Sequence, residues 1–295
     1  MTITAAAAGD WTLGDVTVHR MGFGAMRITP NPDRSVAIKV LRRAVELGVN
    51  HIDTAAFYRS PGGTLGVGEG EVRYANELIR EALAPYPDSL VITTKVGPGE
   101  NPERGFHHAA TAAELRAQVE TNLRQLGVDC LDVVNLRIMK KPGADSIAER
   151  FGALADLRDA GLIRRLGISN VRSDHLDEAL AIAPVTCVQN SYAIDLRSEE
   201  DELIRQCAER GIAYVPFFAI AGAKRETGPA VDHSGTVAKV AAQHGASPQQ
   251  IRLAWTLHQG PNVLAIPGTG NPSHLEENIA AGAILLSPDE LASLG

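Results

Sequence analysis

Short apolar, β-rich runs recur along the whole chain, and segments of helical periodicity separate them. The runs are RMGFGAM (20–26), NHIDTA (50–55), SLVITTKV (89–96), CLDVVNLR (130–137), RRLGISN (164–170), TCVQNSY (186–192), IAYVPFF (212–218) and NVLAIPGT (262–269). Strands joined through helices cannot pair as hairpins; they lie parallel, with the helices covering the sheet. Eight such units without an internal linker predict an α/β fold, a (β/α)8 TIM barrel taking in residues 1–295 as one domain. The rival is an open doubly wound sheet, which needs a GxGxxG turn opening a helix after its first strand. RMGFGAM runs instead into the loop TPNPDRS. Ahead of it, WTLGDVTVH (11–19) reads as an N-terminal β-hairpin placed to plug the barrel.

The intervening helices carry their own start and stop signals. Val36, Val40, Leu41, Ala44 and Leu47 share one helical face, and Gly48 ends it. Thr111 with Glu114 forms a capping box, and Gly127 closes that helix. Residues 146–161 and 198–211 repeat the pattern. Ser247 caps a helix with Pro248 at its first position, and Ser287 caps a closing helix. Two stretches fit no element, 59–72 and 98–109. Both follow strands, so a barrel places both at its C-terminal face, where active sites are built.

Charge and composition narrow the partners. The net charge of −7 and an aromatic content of 4% argue against nucleic acid or an anionic membrane surface. No stretch approaches the roughly 20 apolar residues of a membrane span, and MTITAAAAGD does not read as a secretory signal. Cys130, Cys187 and Cys207 form no CxxC pair, which fits a reducing, cytoplasmic setting without a metal site. His107–His108 lack further ligands at metal spacing, and Arg164–Arg165 read as solvated residues ahead of strand five. Nothing in the sequence sets the oligomeric state.

Chemistry is expected at the strand ends. Asp53 sits in the second run, Tyr58 follows five residues later, and Lys95 lies near the end of the third. An ammonium beside a phenol favours the phenolate, and a carboxylate would hold that ammonium in place. The phenol is then suited to give a proton to a carbonyl oxygen. The alternative is a structural Asp–Lys pair beside a surface tyrosine.

HIDTAAFY, NEL, ITTKVG, LGISN, VQNSY and IPGTGNPSHLEEN, in this order from about residue 11 to 290, resemble the aldo-keto reductase superfamily. The resemblance implies NADP(H) laid across the C-terminal face of the barrel and a small-molecule carbonyl substrate. It assigns Asp53, Tyr58 and Lys95 to three of the family's four catalytic residues. It assigns Ser169, Asn170 and Gln189 to the nicotinamide carboxamide and Tyr214 to the ring stacked on the nicotinamide. Gly268, Thr269, His274, Glu277 and Asn278 fall where the family binds the 2′-phosphate and adenine.

Two departures from the family pattern matter. Arg137 stands where the family has its fourth catalytic residue, a histidine; Arg donates hydrogen bonds and keeps its charge but cannot relay a proton. Gly268 stands where a cation often contacts the 2′-phosphate, with His274 the nearest positional substitute. LDVVNLRIM, NHIDTAAFY, ANELIREAL and IAYVPFF are similar to a bacterial branch that includes pyridoxal reductases. Against that branch, residues 59–75 are an insertion. Its glycines 62, 63, 66, 68 and 70 predict little intrinsic order and a role in substrate range. The resemblance leaves two functions open: NADPH-dependent reduction of an aldehyde or ketone, pyridoxal-like or a natural-product carbonyl, and an NADP-binding redox sensor with little turnover.

Overall fold

A computed structural model describes residues 2–101, 105–138, 145–197, 200–220 and 235–295. Seven strands form one parallel sheet in chain order: Phe23–Gly24, His51–Asp53, Val91–Val96, Leu131–Arg137, Ile163–Ser169, Val185–Gln189 and Ala213–Tyr214. The eighth apolar run closes the barrel through single-residue bridges, Tyr214 to Val263 on one side and Met21 to Ala265 on the other. Tyr214 N–H donates to Asn262 O and Leu264 N–H to Tyr214 O, both 2.9 Å; across the other seam Gly22 N–H donates to Ala265 O at 2.8 Å. Pro267 has no N–H to continue the ladder. The Arg20 guanidinium braces this seam, donating to the carbonyls of Leu257, Gly260 and Val263. At the top the seam is glycine against glycine: a Cβ on Gly268 would lie 2.4 Å from Gly24 O. A side chain at 268 would require this backbone approach to shift.

Helices Arg34–Glu46, Ala75–Leu83, Ala112–Leu126, Ala148–Asp159, Ser173–Leu180, Glu200–Glu209, Gly235–His244, Pro248–Leu257 and Pro272–Ala280 cover the sheet, and Pro288–Leu294 packs at the end. The caps are built as the sequence indicates. Thr111 and Glu114 make a reciprocal box with Gly127 left-handed beyond it, and Ser247 and Ser287 cap helices that begin with proline. Among the described residues no helix is long and apolar enough to cross a membrane, and all three cysteines are free.

The hairpin Asp10–Leu13 and Val16–His19 seals one mouth. Leu13 and Val18 are buried with Val91, Val133, Cys187, Ala213, Val215 and Leu264, one inward side chain or more from five strand positions. Arg165 belongs to this plug. Strand five starts at Ile163, and the Arg165 side chain is 14% exposed and pairs with Asp15 at the hairpin turn. The solvated reading therefore holds only for Arg164, which stays 60% exposed.

Candidate active site

Side chains alternate across a strand, so residues two and four beyond the plug-facing positions also point inward. Lys95 lies four beyond Val91, Arg137 four beyond Val133, Gln189 two beyond Cys187 and Phe217 two beyond Val215. All four line a cavity of about 850 Å³ at the mouth opposite the hairpin. Asp53 and Tyr58 line it as well.

At its floor Lys95 Nζ donates to Asp53 Oδ1 and Oδ2 at 2.6 and 2.7 Å and to Thr54 O at 3.0 Å. Lys95 is 2% exposed and Asp53 4%. Nζ also sits 4.8 Å from the centre of the Tyr58 ring. Burial opposes the lysine charge, but attraction from Asp53 and Tyr58 outweighs it, and the Lys95 pKa ends above its ordinary value. The ammonium is therefore a fixed charge beside the phenol. A buried polar chain backs the pair. Thr54 Oγ1 donates to Asn76 Oδ1 (2.7 Å), Asn76 Nδ2 donates to Asn122 Oδ1 (2.9 Å), and Thr94 Oγ1 donates to the same oxygen (2.5 Å). It ties strands two and three to the helices behind them. Asn76 is the first residue of the NEL motif, so that motif supports Asp53 and Lys95 from outside the cavity.

Arg137 points into the cavity. Its Nη1 donates to Ser169 Oγ at 3.1 Å, and its guanidinium lies 4.7 Å from the centre of the Phe217 ring. Ser169 is fully buried and is not among the described residues that line the cavity, but it accepts from Arg137, which does line it. Asn170 lines the cavity from a left-handed backbone position, φ 62°, and donates to Ile138 O at 2.9 Å. Gln189 Nε2 donates to Asp53 Oδ2 at 2.8 Å, while its Oε1 is buried without a partner among the described residues.

Tyr214 is not at the cavity. It lies between inward-facing Ala213 and Val215 and so faces outward. It is fully buried, with its hydroxyl donating to Glu200 Oε2 at 2.6 Å and its ring edge-on to Tyr192. Phe217, three residues on and of inward parity, presents the aromatic face there instead. The signal was available in the run IAYVPFF as a period of two once Ala213 is set inward. Gly268, Thr269, His274, Glu277 and Asn278 all line the far end of the same cavity. Arg27 and Gln249, which sequence reasoning did not single out, line it too.

The two unassigned stretches are short antiparallel pairs, Arg59–Ser60 with Arg73–Tyr74 and Pro98–Asn101 with Gly105–His108. The glycine-rich insertion contributes Thr64, Leu65 and Val67 to the cavity wall. His107 lies 3.9 Å from Glu114 and His108 bonds Arg150. Among the described residues no group of His, Cys, Asp or Glu could hold a metal.

A phenol held against a buried, carboxylate-anchored ammonium, inside the C-terminal mouth of a closed barrel, defines a class of barrel enzymes that deliver a proton to a substrate oxygen. Residues 20–295 match the aldo/keto reductase family. The chain is 43% identical to pyridoxine 4-dehydrogenase of Escherichia coli (strain K12) over 98% of both chains. Its fold is similar to a thermostable aldo-keto reductase solved with the inhibitor epalrestat (TM-score 0.77, 30% identity, 95% of this chain and 96% of that one). It is also similar to an aldo/keto reductase of Klebsiella pneumoniae solved with NADP and acetate (TM-score 0.76, 27% identity, 94% and 90% covered). The chain belongs to the aldo/keto reductase family.

Proposed function

We propose that the chain is an NADP(H)-dependent reductase of an aromatic aldehyde that carries an anionic group beside its carbonyl, the pattern of pyridoxal. The observation that carries this reading is Arg137. It brings a permanent positive charge into the cavity that holds Tyr58, at the place where the family has a histidine.

The cavity's residues fit the cofactor. Gln189 Oε1 is a buried acceptor without a partner among the described residues, suited to the N–H of a carboxamide, with Asn170 beside the same space. Phe217 offers a flat face for a planar ring. Thr269, His274, Glu277 and Asn278 would hold the adenosine end, with Asn271 capping the helix that begins at Pro272. When bound, the reduced nicotinamide supplies the hydride for the carbonyl carbon.

The chain's own residues do the rest. Tyr58 donates its hydroxyl proton to the carbonyl oxygen. Lys95, kept protonated by Asp53, stabilises the phenolate this leaves. Arg137, held by Ser169 and Phe217, pairs with the substrate's phenolate or polarises its carbonyl. The apolar rings of Phe57 and Phe217 form part of the cavity wall beside that exchange. The complete Lys–Asp–Tyr arrangement supports turnover over a purely sensing role. The free cysteines fit the cytoplasm.

The test is steady-state NADPH oxidation with pyridoxal and with neutral benzaldehyde. Arg137→Met is expected to lower kcat/KM for pyridoxal about 10–100-fold, the loss of one charge-assisted bond, and to affect benzaldehyde less. Equal losses would leave Arg137 only a general polarising role. Tight NADPH binding with neither aldehyde reduced would favour the sensor.

A further inference from the structure

We propose that Arg73 is the specificity-determining positioning residue of this enzyme, folding segment 59–74 into a fixed apolar wall on the substrate side of the cavity. The proposal rests on the carbonyl-reductase reading of that cavity.

Arg73 is 3% exposed. Its Nε donates to Thr29 O (2.8 Å), Nη1 to Glu69 O (3.0 Å) and Glu71 O (2.6 Å), and Nη2 to Pro30 O (3.2 Å). Every one of these acceptors is a main-chain carbonyl. A planar guanidinium with donors fixed in a fork can hold several carbonyls at set directions, which a lysine cannot do. Two acceptors lie on the insertion itself and two on the loop after strand one, so the side chain stitches one loop to the other.

The stitch reaches the chemistry at both ends. Ser60, fully buried, is 2.9 Å from Thr29 across the hydroxyls. Ala75 N–H donates to Tyr58 O at 2.9 Å, so the insertion leaves and returns at the proton donor's own backbone. Between these ends Gly68, at φ 101°, packs so closely that a Cβ would lie 2.9 Å from Ser60 Cβ and 3.3 Å from Pro30 O. What the fold presents to the cavity is Thr64, Leu65 and Val67, with Leu65 7% exposed and Val67 43%, in the same cavity that Arg137 lines. The Leu65 and Val67 side chains are apolar and would lie against a substrate ring rather than its polar substituents. It would select planar aromatic aldehydes over small aliphatic ones through contact area.

The experiment compares wild type, Arg73→Met, Arg73→Lys and Leu65→Ala, each with NADPH and either pyridoxal or propanal. Arg73→Met is expected to raise the pyridoxal KM about 10-fold while kcat and propanal kinetics change by less than about 3-fold, the pattern of lost binding rather than lost chemistry. NADPH affinity, read by fluorescence titration, should not change. Leu65→Ala should raise the pyridoxal KM in the same direction without touching the stitch, and Arg73→Lys should fall between. Limited proteolysis within 60–72 should speed up in Arg73→Met, less in Arg73→Lys and not in Leu65→Ala, a readout independent of any substrate. Equal losses on both aldehydes, or a fall in kcat alone, would place Arg73 behind Tyr58 and overturn the specificity role. Unchanged KM values would return the insertion to an inert surface loop. Propanal and pyridoxal both inert in the wild type would instead overturn the reductase reading, and the proteolysis result would still decide whether Arg73 folds the wall.

Discussion

The two mouths of the barrel are built from the same strands with opposite chemistry. The hairpin end meets the strands with Leu13 and Val18 on Val91, Val133 and Leu264. The other end, a few residues further along the same inward faces, buries Lys95, Asp53 and Gln189 and leaves Arg137 half-buried. Each mouth carries an ion pair. Lys95–Asp53 has side chains 2% and 6% exposed, and Arg165–Asp15 has 14% and 80%. Burial is what separates an interaction that sets a charge state from one that only fastens a loop. A pair desolvated as fully as Lys95–Asp53 is costly to assemble and is weak evidence for stability. It makes sense as part of a site.

Tyr58→Phe tests the functional mouth, and its effect should be the largest. Removing the general acid should lower carbonyl reduction about 10²–10⁴-fold. Thermal stability and NADPH affinity should hardly move, because other residues anchor both. Near-full turnover would show that the proton comes from elsewhere.

Leu13→Ala is the mirror experiment at the plug. Truncating a leucine this buried (1% exposed) should cost about 2–5 kcal/mol in denaturant unfolding. At a temperature where the variant remains folded, kcat should stay near wild type. A kcat loss in proportion to the stability loss would mean that the mouths are coupled and the contrast is wrong.

What the sequence made legible follows from the same geometry. Strand positions, helix caps and the Asp53, Tyr58 and Lys95 trio depend on local pattern and order, and a linear reading carries both. Tyr214 was misplaced because choosing between it and Phe217 requires knowing which parity of a short apolar run faces inward, and neighbouring strands set that. The Arg73 contacts within 59–75 were hidden because composition counts glycines but cannot show a side chain reaching carbonyls on another loop. Gly268 read as a missing cation; only barrel closure shows that Gly24 O fills the space a side chain would need. Arg165 read as solvated because its partner, Asp15, lies on the distant hairpin.

His51 sharpens the comparison along a single strand. It lies two residues before Asp53 and is 2% exposed, with its ring against Gly22. Burial pushes its pKa down from 6.5 to about 4. A base with a depressed folded pKa binds fewer protons when folded, so its stability contribution is complete above about 6.5 and is lost as pH falls toward 4. The span corresponds to at most about 3 kcal/mol. Unfolding midpoints measured from pH 7.5 down to 4 should therefore fall, and His51→Phe, which cannot be charged, should flatten part of that fall. Identical slopes in the two proteins would remove His51 as the source.

The smallest effect should come from the exposed pair at the plug. Hydrogen bonding to Arg165 holds the Asp15 carboxyl below its ordinary range, yet the carboxylate stands almost fully in water. Water screens such a pair, and holding two long side chains together costs conformational freedom, so exposed pairs are worth about 0.2–1 kcal/mol. Asp15→Asn should thus lower stability by less than about 1 kcal/mol and leave kcat alone. Raising salt toward about 1 M, where the screening length falls to about 3 Å, should shrink the difference further. Urea titrations of both proteins at low and high salt would measure it. A loss above about 2 kcal/mol would exceed what a screened pair can supply. It would mean that Asp15 orders the whole hairpin turn around Arg165, whose side chain already fills the space where a Cβ on Gly14 would stand. The plug would then depend on a charge much as the opposite mouth does.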